Sequence, residues 1–390
     1  MVVSDRPAVH AGRDTTVSVV IPCHSMSRWP QLVAAVDSVR AQSPGPAEIV
    51  VAVDHNDDLL DRARRELPGV TVLANRYAAG ASGNRNTGVT ATRTPLVAFL
   101  DDDARARPGW LAALIAPLCD DYVIGTGGAV EPLWERERQA WFPDEFLWTV
   151  VSTAVLPPTP AAVRNVWSVS MAVRRSGFDA VGGFRTEFGR HGSRPRPEDT
   201  DLCLRMSRST GGRWMYVPGS VVDHHVPEAR TMLRYVVGRC YHEGRGKIEL
   251  ARLAGGTGDL MIEREYLRRV LPRAALRGLG LTLRGRGAEH AARACVLAIG
   301  AAAAIAGGLL EVGYGGLARL RRPGRVVTGA EGHRLSTGLD AALPGPEPRV
   351  GALPEVVLSG SRPRGAGLAA TGLAGAGSTP AVLDHPEDPT

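Results

Sequence analysis

Lysine is almost absent from this 390-residue chain: Lys247 is the only one, so the formal excess of +6 comes almost entirely from arginine. Up to Arg264 the arginines are scattered and form no run, which argues against a nucleic-acid-binding surface, and no nucleic-acid partner is expected. A pI near 9.3 still suits an anionic ligand or an anionic membrane face, because scattered positive charge concentrates both. Cysteine is also scarce. Cys23, Cys119, Cys203, Cys240 and Cys295 are odd in number and contain no C-x-x-C pair, which argues against a disulfide framework or a zinc site and fits a reducing compartment. The first sixteen residues hold no apolar run behind a basic start, so no secretory leader is expected and a cytoplasmic location is expected. Disorder throughout is excluded by a 44% hydrophobic content.

What is present alternates. Val17 to Pro22 is a short β-branched run closed by proline, and reads as a buried strand. From Pro30 to Arg40 the apolar residues Leu32, Val33, Val36 and Val39 fall at helical spacing. The pattern then repeats: strand 48–54, helix 58–67, strand 70–73, helix 82–92, strand 95–100. Alternation of this kind predicts βαβ units, a parallel sheet with helices on both faces, and a Rossmann-like α/β core. Further strands are expected at 122–131, 166–173 and 216–222, a helix at 198–208, and mixed helix over 226–253. The aromatics Trp134, Trp141, Phe142, Phe146 and Trp148 read either as an acceptor-pocket wall or as core packing. Ala294 to Leu310 is an uncharged Ala/Gly-rich run of roughly 26 Å as a helix, close to but short of a comfortable membrane span. It reads as a soluble Ala-rich helix or as a membrane-contacting one. Beyond Pro323 the Gly/Pro/Ala-dense composition predicts disorder.

In such sheets ligands bind beyond the carboxyl ends of the strands. Asp54, His55, Asn56 and the triplet Asp101-Asp102-Asp103 all sit at predicted strand ends. Three adjacent carboxylates repel one another unless a cation or donors compensate them, and Mg²⁺ or Mn²⁺ bridging to a diphosphate is the simplest compensation. The alternative is an acidic cap on the helix that starts near Pro108. The segment from Gly80 to Asn86 opens a helix whose N–H groups, with Arg85, suit a nucleotide, although its glycine pair matches neither a G-x-G-x-x-G nor a Walker loop. Glu198 and Asp199 fall in the first turn of a predicted helix, as base candidates or as helix-capping charges. Asp223-His224-His225 ends a strand-like run, where one histidine suits a metal site completed by distant carboxylates.

Together these segments resemble the family-2 glycosyltransferases of the GT-A fold, in an actinobacterial type. The carrying residues are Val17-Ser-Val-Val-Ile-Pro22, Ile49-Val-Val-Ala-Val-Asp54, Gly83-Asn-Arg-Asn-Thr-Gly88, Phe99-Leu-Asp-Asp-Asp103, Gly182-Gly-Phe184 with Glu198-Asp199, and Arg239 to Lys247. The resemblance implies a Rossmann-like mixed sheet flanked by helices, with a C-terminal helical extension. It implies that Pro22, Cys23, His24, Ser25 and Asp54 line the nucleotide base, that Arg85 contacts the nucleotide, and that Asp101 and Asp102 lie near ribose and phosphates. By the same resemblance Asp103 holds the metal with Asp101 and His224, ahead of His225, and Asp199 or Glu198 is the catalytic base. Ser170-Met171 followed by Arg174-Arg175 departs from the Asn-Met type of sequence on the acceptor side.

The reaction so implied moves a sugar from a nucleotide-diphosphate sugar to a hydroxyl of a sugar, lipid or small-molecule acceptor, in one inverting displacement assisted by a divalent cation. A nucleotidyltransferase and a non-catalytic membrane-associated scaffold are the alternatives. The expected divisions are a disordered start at 1–14, the transferase domain at 15–247, a helical extension open to peripheral membrane contact at 248–322, and a disordered tail at 323–390. The expected place of action is the cytoplasm, at the inner face of the plasma membrane.

Overall fold

The computed structural model describes residues 14–154, 156–191, 194–253 and 260–320. The expectations of disorder at 1–14 and 323–390 therefore lie outside the described residues, apart from Asp14. The first half follows the alternation: β1 (Val17–Cys23), α1 (Trp29–Arg40), β2 (Glu48–Val53), α2 (Asp57–Glu66), β3 (Thr71–Ala74), α3 (Ala81–Thr90) and β4 (Leu96–Leu100). All seven residues of β1 and all five of β4 are buried, as unbroken apolar runs in the middle of a parallel sheet should be. The second half adds β5 (Ala104–Ala106), α4 (Trp110–Ile115), β6 (Val123–Trp134), β7 (Ala161–Val163), β8 (Ser170–Arg174), α5 (Arg175–Ala180), the short pair β9 (Arg190–His191) and β10 (Arg194–Pro195), α6 (Glu198–Thr210) and β11 (Arg213–Val226).

The main sheet has the order β3-β2-β1-β4-β8-β6-β11-β5, with β7 also on β11. Neighbours from β3 to β4 are parallel, as are β6 and β11, but β8 runs antiparallel to both β4 and β6. The sheet is thus mixed, as the resemblance implied, while the alternation of strands and helices accounts for its parallel half, β3 to β4. Strand direction leaves no local mark: β8 is entered from a long connection, not from a helix crossover. That strand also begins at Ser170 and not at Val166. Nor does Asp223-His224-His225 end a strand; β11 continues to Val226, and Val221 to Val226 pair with Ala129 to Trp134 of β6.

The helical extension comprises α7 (Leu233–Leu253), α8 (Met261–Glu265), a π-helical turn at Tyr266–Val270, α9 (Leu271–Leu283) and α10 (Glu289–Leu320). The boundary expected at 247 falls inside α7. The Ala/Gly-rich run forms part of a 32-residue helix, and its portion Glu289–Gly313 is long and apolar enough to cross a membrane. Glycine lets α10 approach α7 at backbone distance: a Cβ on Gly244 would lie 1.9 Å from the Ala304 carbonyl oxygen, and one on Gly307 would lie 2.1 Å from that of Tyr241. Phe142, Phe146, Val236, Cys240, Leu271 and Leu297 make the core of this lobe, so two of the five aromatics are packing, not pocket wall.

Candidate active site

The carboxyl ends of β1, β2 and β4 open into a cavity of about 840 Å³ that α3, α6, β11, α7 and α8 complete. Pro22, Cys23, His24, Asp54, Arg85, all three of Asp101 to Asp103, Glu198, Asp199 and His224 line it. Ser25 does not; its hydroxyl meets that of Ser27 at 2.8 Å. Nor does His225, whose side chain alternates away from that of His224 along β11 while its N–H donates to the Asp103 carbonyl at 2.8 Å.

Asp54 organises the loop before α3. Its Oδ1 accepts from Asn75 Nδ2 at 2.6 Å and its Oδ2 from the Gly80 N–H at 2.8 Å. Gly80 sits at φ 149°, ψ 152°, a conformation essentially reserved for glycine, and from there the chain turns into α3. On α3 the triplet Asn84-Arg85-Asn86 reaches three different elements. Asn84 Nδ2 donates to the carbonyls of Ala52 (2.8 Å) and Cys23 (3.2 Å), which fixes the helix to the ends of β2 and β1. Asn86 exchanges two hydrogen bonds with the Phe184 backbone, at 2.7 and 2.9 Å. Between them the Arg85 guanidinium meets Asp101 at 2.8 Å and Glu198 at 3.6 Å. Burial works against its charge, but Asp101, Asp199 and Glu198 more than restore it and raise its pKa. Arg85 is thus a cation joining the β4 carboxylates to those of α6, with its Nε and Nη1 hydrogens making no hydrogen bond.

The triplet divides into three environments. Asp101 pairs with Arg85. Asp102 is buried and held by Arg28 at 2.8 Å, with Oδ2 lacking a partner; burial and the charges of Asp103 and Asp101 push its pKa up against the pull of Arg28. Asp103 is also buried, yet His224, Arg28 and Arg230 outweigh that cost and hold it well below the usual carboxylate range. Its Oδ1 lies 3.3 Å from His224 Nε2, and its Oδ2 lies 3.2 Å from Arg28 and 3.8 Å from Arg230. None of the three caps the following helix, whose N-cap is Gly109 with no side-chain bond. Glu198 and Asp199 likewise make no cap bond, the N-cap of α6 being Pro197. Burial raises both, reinforced at Glu198 by the Asp199 charge, while Arg85 pulls each back and Ser168 donates to Asp199. Asp199 Oδ1 has no partner.

Arg28, Arg230 and Arg239 also face this cavity, and the sequence did not single them out as site residues. In a chain this rich in arginine, only the fold distinguishes these from the rest. The aromatic side chains of Trp148, Tyr235 and Tyr266 also line the cavity, with Trp148 Nε1 donating to the Tyr266 hydroxyl at 3.2 Å. Helix α8 contributes Glu263, which pairs with Arg164 at 2.7 Å and Lys247 at 3.1 Å.

A metal fits part of this donor set. Among the described residues no three His, Cys, Asp or Glu side chains come close enough to hold an ion by themselves. Asp103 and His224 nevertheless present one oxygen and one nitrogen 3.3 Å apart, near the roughly 3 Å edge expected between adjacent ligands about 2.1 Å from an ion. Mg²⁺-type sites commonly take one or two protein ligands and complete their shell with substrate phosphates and water.

Comparison with known proteins agrees with this geometry. The model of the family described as Glycosyl transferase family 2 matches residues 18–182. The glucosyl-dolichyl phosphate glucuronosyltransferase of Haloferax volcanii is 32% identical over 241 residues, covering 59% of this chain and 76% of the relative. The pre-mycofactocin glycosyltransferase of Mycobacterium tuberculosis is 30% identical over 196 residues, covering 50% of this chain but only 40% of its own length. Among solved structures, a mannosyltransferase from Pyrobaculum calidifontis in complex with GDP-Man and Mn²⁺ superposes with a TM-score of 0.51 at 18% identity, over 76% of this chain and 87% of that one, and shares the GT-A fold. Read together, the strand-end carboxylates, the mixed sheet and these matches make the chain a member of glycosyl transferase family 2.

Proposed function

We propose that the chain transfers a sugar from a nucleotide-diphosphate sugar to an acceptor hydroxyl, in one inverting step, with a divalent cation at Asp103 and His224. The observation that carries this reading is that one cavity holds two carboxylate groups, Asp101 to Asp103 and Glu198 with Asp199, joined through Arg85. Bound there, Mg²⁺ or Mn²⁺ would neutralise diphosphate charge and make the nucleotide a better leaving group. Arg28 and Arg230, beside Asp103, add further positive charge for that diphosphate. Pro22, Cys23, His24 and Asp54 lie at the end suited to the nucleotide base.

Glu198 or Asp199 takes the proton from the acceptor hydroxyl as it attacks the anomeric carbon opposite the diphosphate. A raised pKa suits that role, since a base works best near the operating pH. Arg85 acts as a positioning residue, holding donor-side and base-side carboxylates in one register. Trp148, Tyr235 and Tyr266 supply flat faces for the acceptor. The Haloferax relative is named for a dolichyl-phosphate-linked sugar, which makes lipid-linked acceptors the first to try. The same reading places the chain in the cytoplasm, in peripheral contact with the inner face of the plasma membrane.

The test is release of nucleoside diphosphate from UDP-, GDP- and dTDP-sugars with Mn²⁺, with and without acceptor. One donor turned over in a metal-dependent manner, and lost in Asp199→Asn or Glu198→Gln once acceptor is required, is the expected result. No turnover of any donor by the folded protein would remove the reading.

A further inference from the structure

α10 is long and apolar enough to span a bilayer, yet its packing opposes that. Glu311, on the same helix, is buried against α7, pairing with Arg245 at 2.9 Å and with Arg252 at 3.6 Å. The two helices meet at backbone distance through Gly244 and Gly307. α7 in turn supplies Arg239, Glu243 and Lys247 to the cavity wall. Crossing a membrane would pull these charges into hydrocarbon or tear α10 off them, and both are costly.

The outer face of α10 is different. Between Arg293 and Glu311 the sequence has no charged residue. Ile299, Ala302, Ile305, Leu309 and Val312, spaced three or four apart on one side of the helix, are all exposed, Leu309 by 67%. On α9, Leu276 and Leu283 are exposed as well. The segment that precedes this face in the sequence concentrates positive charge. From Arg264 to Arg293 there are eight arginines against two glutamates, an excess equal to the net +6 of the whole chain. Among the described residues Arg264, Arg268, Arg273 and Arg286 are exposed and have no ion-pair partner. An exposed apolar stripe on a lobe that also exposes unpaired arginines complements a bilayer surface carrying anionic headgroups, where acyl chains receive the one and phosphates the other.

We propose that α10 lies along an anionic membrane surface without crossing it, seated by its Ile299–Val312 face and by the arginines of 264–293. This rests on the reading of the chain as a peripheral membrane protein, but not on the identity of its donor or acceptor.

The test uses the full chain with liposomes of phosphatidylcholine alone or with phosphatidylglycerol. Co-flotation with the mixed vesicles, weaker by about tenfold or more on neutral ones and at high salt, is expected, together with release by alkaline carbonate. Ile305→Asp/Leu309→Asp should lose binding while keeping its melting temperature and its donor hydrolysis. A charge-reversed Arg264→Glu/Arg268→Glu/Arg273→Glu variant should lose the anionic preference. Carbonate-resistant association would mean that α10 spans. Equal binding to both vesicles, or none, would remove the anionic surface, and binding unchanged by Ile305→Asp/Leu309→Asp would place it elsewhere. A dimer in vesicle-free solution that these substitutions dissociate would make a second copy the occupant. Donor hydrolysis, followed in the same samples, separates loss of the surface from failure of the transferase reading.

Discussion

Glu198 and Asp199 both have pKa values raised by burial, so their ionised forms are held at a cost to folding. For an acid with a raised folded pKa, that cost is absent below the unfolded value near about 4.3 and complete above the folded one. Glu198→Gln should therefore raise the melting temperature at pH 7.5 and leave it little changed at pH 4. If Glu198 is the base, the same substitution lowers turnover by about a hundredfold or more. In the unsubstituted protein, turnover should fall as pH drops through the raised value, well above the ordinary carboxylate range. An acid limb near pH 4, or a Glu198→Gln protein that is both less stable and fully active, would show that neither carboxyl is poised as argued. Asp103 has the opposite sign. His224 and the flanking arginines lower its pKa, so its stabilisation is complete at neutral pH and is lost as pH falls through the depressed value. Asp103→Asn should both lower the melting temperature at pH 7.5 and abolish the Mn²⁺ dependence of donor binding, read by calorimetry with and without the metal.

The elements meet the site through backbone-directed side chains, and α3 shows this best. Asn86→Ala would leave the buried N–H and carbonyl of Phe184 without their partner, at a cost of about 1–3 kcal/mol, measurable by urea unfolding. Gly88 tests packing in the same helix, because a Cβ there would fall 2.3 Å from Val20 Cγ1 on β1. Gly88→Ala should cost about 1–3 kcal/mol, with part regained in the double variant Gly88→Ala/Val20→Ala; strict additivity would place the clash elsewhere. The sequence made β1 to β4 and α1 to α3 legible because their apolar periods are set locally. It made the carboxylates legible because acidic residues directly after buried strands need a reason to be there. The antiparallel direction of β8 was not legible, since pairing direction is decided by distant strands. Arg28, Arg230 and Arg239 were missed because an arginine's role depends on which carboxylate the fold brings to it. Arg85 reads from the sequence as a nucleotide contact, yet its charge is met by Asp101, directly after β4, and by Glu198 at the start of α6.

Across the whole molecule, the cavity draws its walls from the parallel half of the sheet, from α3 and α6, and from the helical lobe. A ligand that fills it ties these parts together and should stabilise all of them at once. At about 100 times its dissociation constant a donor nucleotide would add about 2.7 kcal/mol, and a rise in melting temperature of several degrees is the expected readout with Mn²⁺ present. A rise of the same size after chelation would mean that binding does not use the ion. The close seam between α7 and α10 bears on another kind of experiment. Helix α7 is a party wall: one side faces the cavity, at the part proposed above for the acceptor, and the other is fastened to α10 through Gly244, Gly307 and Glu311. A chimera cut near residue 247, inside α7, would carry part of that wall from each parent. A graft of the C-terminal lobe between relatives should therefore take its joint before Leu233, and on the proposed acceptor site it should carry the parent's acceptor preference, because the cavity-lining Arg239, Lys247 and Tyr266 travel with the transplant.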